Sequence, residues 1–284
     1  MALTINTNIA ALNAQRRLGA STSELRQTFE RLSSGLRIIR ARDDASGLAI
    51  ADTLRADQRV ASVAIRNAND GISLISIADG ALNEIGNVLQ RMAELSEQSA
   101  NGTLSSTQRS ALEQEFRALG SEISRISETT SFNGLQLLSG SASISLQVGF
   151  DSSNNSQIQF SGVNGTLESL GLAKTGEKAL SFSLNAAVGG QQAALSALDA
   201  VKTAIGSLTA NRGTLGAAES RLNVAINNLQ VARENFASAE SQIRDVDVAE
   251  EAARLTRLNI LQQAGAAVLA QANQQPSLAL ALLG

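Results

Sequence analysis

The chain has 284 residues, 43% of them apolar, a formal net charge of −3, seven Phe, one Pro and no Cys, His, Trp or Tyr. Without Cys or His there is no disulfide framework, thiolate nucleophile, imidazole base or Cys- or His-ligated zinc; carboxylates could still bind a hard cation or run glycosidase-type chemistry, so an enzyme is disfavoured rather than excluded. A charge this close to zero leaves no electrostatic footprint for nucleic acid, and the length suggests about two domains.

Residues 1–36 read as one amphipathic helix. Ile5, Ile9 and Leu12, then Leu18, Leu25, Phe29, Leu32 and Leu36, recur at helical spacing. Ser21 with Glu24 has the form of a capping box, yet the apolar period runs on both sides of it and favours continuity. Gly35 is the expected stop. Residues 36–46 form a charged connector in which Arg37, Arg40 and Arg42 face Asp43 and Asp44. Either Asp suits the N-cap of the next helix. That helix is long, expected from 44 to 100. Ala61, Ile65, Ala68, Ile72 and Ile75 lead into Leu82, Ile85, Leu89 and Met92. Asn69-Asp70-Gly71 and Asp79-Gly80 are local turn signals, but the period crosses them, and Asn101-Gly102 is the expected end. Ser105 with Gln108 caps a third helix, 105–128, whose stripe is Leu112, Phe116, Leu119, Ile123 and Ile126.

Residues 131–188 are rich in Ser, Asn and Gly. Alternation at Ile144, Leu146, Val148 and Phe150, at Ile158 and Phe160, and at Leu180, Phe182 and Leu184 predicts short strands. From 190 the chain reads as helix again. Ala194, Val201, Leu208, Leu215, Leu222, Leu229, Phe236 and Ile243 recur every seventh residue, while Leu198, Ile205, Arg212, Glu219, Ile226, Arg233 and Glu240 mix apolar and charged side chains. That is a coiled-coil helix with a partly polar seam. An acidic stretch, 245–251, includes the pair Glu250-Glu251. Leu255 to Ala272 then predicts a helix apolar on nearly all sides, which must be buried, with Pro276 beyond it. This helix has few basic flanks and no polar face, so self-association is favoured over a membrane surface. The paired carboxylates Asp43-Asp44 and Glu250-Glu251 read as caps and ion pairs rather than metal ligands. The first 42 residues carry seven Arg against two Glu, and 240–284 three Arg against five acids, so the two ends have opposite sign. Met1-Ala-Leu-Thr-Ile-Asn6 has no cationic start with an apolar stretch behind it, as a secretory signal would. No apolar run reaches transmembrane length. The fold class expected is mainly α: elongated antiparallel coiled-coil helices from both chain ends, with a small β-hairpin region in the middle. Scarce aromatics suggest thin packing with no deep core.

Ile5-Asn-Thr-Asn8, Arg31-Leu-Ser-Ser-Gly-Leu-Arg37, Asp43-Asp-Ala-Ser-Gly-Leu-Ala49, Arg66-Asn-Ala-Asn-Asp-Gly-Ile72 and Phe132-Asn-Gly134 stand in the first half. Ala239-Glu-Ser-Gln-Ile-Arg-Asp245, Ile260-Leu-Gln-Gln-Ala-Gly265 and Val268-Leu-Ala-Gln-Ala-Asn273 stand in the second. In this order they resemble the bacterial flagellin family over 1–140 and 190–284. The resemblance implies a structural subunit that polymerises into the flagellar filament for motility, with a hook–filament junction protein as the alternative. It implies no catalytic residue, cofactor or metal.

By the same resemblance, 1–42 and 240–284 form a terminal coiled-coil domain lining the filament's inner tube. Residues 43–175 and 188–239 form a rod domain with a β-rich segment at 140–185, and an outer domain is short or absent. Implied self-assembly residues are Ile5, Ile9, Leu12, Leu25, Phe29, Leu32, Leu255, Leu258, Leu261 and Val268. Val201, Leu208, Leu215, Leu222, Leu229, Phe236 and Ile243 form the coiled-coil seam. Arg91, Leu95 and Glu115 match contacts through which a host Toll-like receptor recognises some flagellins. The plain reading is that Leu95 packs the rod and Arg91 forms a solvated or intersubunit ion pair. Implied partners are other copies of the chain, an export chaperone at the C-terminus, and hook-associated and cap proteins, with no nucleic acid and no membrane. The implied place is the extracellular flagellum, reached without a cleaved signal peptide, and the termini are expected to order only on assembly.

Overall fold

The computed structural model describes residues 7–139, 143–160, 163–185 and 189–283; Ile5 lies outside them. The chain divides into two compact units, 1–58 with 234–284, and 59–233. Two 55-residue helices, α2 (Ala45–Ser99) and α4 (Gly190–Arg244), contribute to both.

The unit made of the chain ends is an antiparallel helix pair, α1 (Ile9–Ser34) and α5 (Val248–Leu283), with the adjoining ends of α2 and α4. Asn8 caps α1 by accepting the Ala11 N–H at 3.0 Å, and Gly35 ends it with φ 72°. That left-handed conformation is cheap for glycine. Ser21 and Glu24 do not interrupt the helix. Asn8 Nδ2 donates to the Ala272 carbonyl at 2.7 Å, and the Val246 N–H donates to the Gly35 carbonyl at 3.0 Å. These contacts mark the antiparallel register. One expectation is corrected here, because α5 does not stop before Pro276 but continues to Leu283. Proline's fixed φ near −65° is compatible with helical backbone, although a proline inside a helix removes one N–H donor and crowds the turn before it.

The other unit packs α3 (Ser106–Thr129) and two hairpins against α2 and α4. Helix α2 runs unbroken through both local turn signals. At the first, Gly71 serves packing: a Cβ there would sit 2.2 Å from Leu146 Cδ1. At the second, Asp79 faces Arg212 of α4. Helix α3 opens with the expected capping box of Ser105 and Gln108.

Strands β1 (Ser131–Phe132) and β2 (Leu135–Gln136) form a minimal hairpin around Asn133 and Gly134, with φ of 50° and 78°. Two successive positive φ values make the tight turn that matches strand twist. Strands β3 (Ile144–Gln147) and β4 (Gln157–Phe160) pair antiparallel, with Leu146 opposite Ile158. The strand expected at Leu180–Leu184 does not form. The Ser181 N–H donates to the Leu172 carbonyl at 2.9 Å, but no ladder grows from it, and side chains of the helices take the polar groups of Leu184. Its N–H donates to the Glu113 carboxylate, and its carbonyl accepts from Ser99 Oγ at 3.1 Å. Leu180 lies against Gly120.

The expectation of no deep core is also corrected. Leu82, Ile85, Leu89, Met92, Leu95, Phe116 and Ile123 have no exposed surface and belong to one contiguous cluster. Ala68, Ala78, Ala194, Ala197 and Ala204 share it. Small residues let helices approach closely, so leucine and isoleucine fill the space that aromatics usually take.

Candidate assembly interface

In the helix pair α1–α5, the apolar residues singled out from the sequence divide into two groups. Leu258 is buried in the pair, and Leu25, Leu32 and Leu255 are half-buried. Ile9 (61% exposed), Leu12 (58%), Phe29 (64%), Leu261 (52%) and Val268 (58%) remain largely uncovered. Ile260 and Val248 are as exposed and were not singled out. The signal for Ile260 was the all-round apolarity of 255–272, which says that some faces must be covered but not which; Val248 falls in the stretch read as acidic and had no such signal. A single partner helix covers only one stripe of its neighbour, so an all-round apolar helix in a pair necessarily shows apolar surface.

The opposite net charges of the two ends do not translate into a row of ion pairs. Among the described residues, α1 and α5 share one, Arg254 to Glu24 at 3.8 Å, with the arginine on the acidic end. Exposed pairs of this kind contribute little. The acids of the connector serve the backbone. Asp44 caps α2 through the Gly47 N–H at 2.8 Å. The Asp43 carboxylate accepts the N–H groups of Arg40 (3.0 Å) and Ile39 (3.2 Å) and the Gln27 amide (3.2 Å). The Arg40 N–H is the main cause that holds the Asp43 carboxyl below its ordinary range; the Ile39 N–H and the charges of Arg31 and Arg42 add to it, and burial opposes. Asp247 caps the start of α5 by accepting from Ala249 and Glu250. Glu250 and Glu251 sit in its first turn, where the helix dipole favours anions.

The heptad residues of α4 occupy a seam. Val201, Leu208, Leu215, Leu222 and Leu229 are buried, and Phe236 and Ile243 half-buried. Two charged companion positions find partners on α2. Arg212 holds Asp79 through two bonds of 2.7 and 3.1 Å, and Glu240 meets Arg55 at 2.7 Å. The Asp79 carboxylate keeps the Arg212 guanidinium more firmly protonated than usual.

Arg91, Leu95 and Glu115 do not share one surface. Arg91 and Glu115 are exposed and paired at 2.9 Å, with Glu94 also bonded to Arg91. Leu95 has no exposed surface and packs the core. Among the described residues no group of three acids is placed to hold a metal ion, and no helix is long and apolar enough to cross a membrane.

Comparison with known proteins gives two family matches. The bacterial flagellin N-terminal helical region matches residues 5–143, and the C-terminal helical region matches 198–283. A flagellin of Halalkalibacterium halodurans is 44% identical over 281 residues, which are 98% of this chain and 99% of that protein. Polar flagellin F of Vibrio parahaemolyticus is 52% identical over 160 residues, covering 56% of this chain and 42% of the relative. A Vibrio parahaemolyticus structure provisionally assigned to a flagellar hook-associated protein aligns with a TM-score of 0.59 at 12% identity. That alignment covers 72% of this chain and all of the other. At that identity the likeness concerns the fold alone.

Proposed function

The chain belongs to the bacterial flagellin family and is a structural subunit of the flagellar filament, and from that premise we propose that the helix pair α1–α5 is its polymerisation element. The observation that supports this is the uncovered apolar surface of the pair. Ile9, Phe29, Ile260 and Val268 are each 58–64% exposed. Full burial of such a side chain is worth about 1.5–3 kcal/mol, so covering the exposed fraction contributes about 1–2 kcal/mol each. Backbone ordering costs about 1–2 kcal/mol per residue, which makes the terminal helices dependent on neighbouring copies. A heterologous contact that does not close on itself produces a helical filament. In this reading 1–42 and 240–284 line the inner tube, and the unit 59–233 forms most of the rod.

Leu261→Asp tests it. The variant is expected to stop filament growth, seen by electron microscopy, while the thermal melt of the unit 59–233 is unchanged. Normal filaments would overturn the assignment. Limited proteolysis of the unassembled chain is expected to trim both ends and spare 50–235.

The same exposed surface suits a chaperone that covers Leu255–Leu269 before export through the flagellar channel without a cleaved signal. Cap and hook-associated proteins would meet the pair at the filament ends. Recognition by a host Toll-like receptor would rest on the exposed Arg91–Glu115 pair, with Leu95 supporting the surface from below. Loss of signalling in reporter cells treated with Arg91→Ala would support that role.

A further inference from the structure

The unit formed by the chain ends contains buried polar atoms with no hydrogen-bond partner. Among the described residues, five side-chain atoms are in this condition: Ser21 Oγ, Arg31 Nε, Arg244 Nε and Nη1, and Glu251 Oε1. All four residues belong to the unit formed by the chain ends. The Arg244 guanidinium lies near two carboxylates, Asp52 at 3.6 Å and Glu240 at 4.0 Å. Among the described residues neither Arg31 nor Glu251 makes an ion pair within that range, although the Arg31 charge lies near enough to help the Arg40 N–H hold the Asp43 carboxyl low. Glu251 is only 6% exposed, which is unusual for an ionisable side chain.

The register places these two residues together. Gly35 meets Val246 on one side of them, and Glu24 meets Arg254 on the other. Arg31 and Glu251 therefore fall in the same short stretch of the antiparallel pair, one on each helix. Arg31 is in the last turn of α1 and Glu251 in the first turn of α5. A cation is favoured at a helix C-terminus and an anion at an N-terminus. The antiparallel arrangement brings both favoured ends to one level. Two leucines would fill this level with less desolvation cost, because taking charged groups out of water is seldom better for stability than burying apolar residues. What a buried polar layer supplies is discrimination, since any sliding of one helix leaves the charges facing apolar residues.

We propose that Arg31 and Glu251 form the layer that selects the register of α1 against α5. The need for one arises from the rest of α5, whose apolar residues surround the helix and would accept several registers nearly equally. This inference rests on the reading of α1–α5 as the polymerisation element, and its test is separate. The chain has no cysteine, so introduced pairs report cleanly. A Cβ at Gly265 would lie 4.0 Å from Leu18 Cβ, inside the range for a disulfide. Leu18→Cys with Gly265→Cys thus reports the native register. Leu18→Cys with Leu269→Cys, or with Gln262→Cys, reports a slip of about one turn either way.

Full-length chains carrying each pair are polymerised and oxidised, and the cross-links counted in the pelleted filaments. With Arg31 and Glu251 intact, the 18/265 pair alone is expected to close. In Glu251→Leu and in Arg31→Leu, a slipped pair is expected to close as well, without loss of thermal stability. The exchange Arg31→Glu with Glu251→Arg places each charge at the disfavoured helix end but keeps one charge of each sign at this level, and is expected to restore closure of 18/265 alone. Exclusive 18/265 closure in the leucine variants would overturn the proposal. So would an exchange that fails to restore it, or leucine variants that close no pair, since the residues would then hold the helices together rather than choose their register. Failure of the intact chain to polymerise would instead count against the assembly reading.

Discussion

The helix pair α1–α5 and the unit 59–233 are written in nearly the same residues, Ala, Leu, Ile, Val and Ser, and use them differently. In the second unit α2, α3 and α4 enclose one another, so Leu82, Leu89, Phe116 and Leu222 lose all contact with water. Irregular backbone there is tied down by side chains, as Glu113 and Ser99 do for Leu184. In the pair, two helices face each other without a third to enclose them. Apolar side chains remain exposed, and among the described residues three of the five buried polar atoms without partners, on Ser21, Arg31 and Glu251, are found there, the other two being on Arg244 at the end of α4. The lesson is that an incomplete interior differs from a weak one. The surface left open is regular, helical and apolar, which is what a repeated contact with identical neighbours requires.

The comparison can be broken most directly in the enclosed core. Leu89→Ala is expected to lower the stability of the unit 59–233 by about 2–5 kcal/mol, read by chemical denaturation. Ile260→Ala, an equal truncation at an exposed site, is expected to change monomer stability by less than about 0.5 kcal/mol while raising the concentration needed for polymerisation. Equal costs at the two sites would remove the distinction.

Close contacts in the enclosed unit give the next largest effect. At Gly120 a Cβ would meet Leu180 Cδ1 at 2.4 Å and Cγ at 2.7 Å. Gly120→Ala is expected to cost about 1–3 kcal/mol through overpacking, with faster hydrogen exchange at 180–184. Gly206 has open space around it, and Gly206→Ala is expected to stabilise α4 by about 0.5–1 kcal/mol.

Acid sharpens the comparison from the other side. The folded pKa of Asp43 lies below the unfolded value of about 3.9, by the direction of its shift. Its contribution is therefore present above that value and is lost as the pH falls through the lower folded pKa. Acid is expected to loosen the connector 36–46 below about pH 4, and Asp43→Asn should flatten that dependence in a pH series of amide exchange. The smallest effect belongs to the seam. Arg212 and Asp79 are each about 40% exposed, so Arg212→Ala is expected to cost about 0.2–1 kcal/mol, and less in high salt.

Much of the fold was legible because helical periodicity is a local property that survives contrary dipeptides. The apolar stripe through Asn69-Asp70-Gly71 outweighed a turn signal, and the structure supplies the reason in Leu146 packed on Gly71. The α3 capping box and the Gly35 stop were equally local. Alternation at 180–184 misled because a strand needs a ladder of backbone partners, and the single bond from Ser181 to Leu172 does not make one. Leu95 stands four residues after Arg91, yet one is buried and the other exposed, because α3 and α4 cover only part of the helix face.

What the sequence determined by itself is therefore the set of helices, their caps, the heptad seam of α4 and the family motifs at both ends. Each depends on residues within a few turns of one another. Tertiary structure alone decided which apolar residues are enclosed and which remain open, and which charges meet. The low aromatic content illustrates the division. From composition it suggested a chain without a deep core. In the structure it accompanies a closed core of small and branched residues in one unit and an open apolar surface in the other. Burial depends on how many elements surround a residue, and that number is set by the fold.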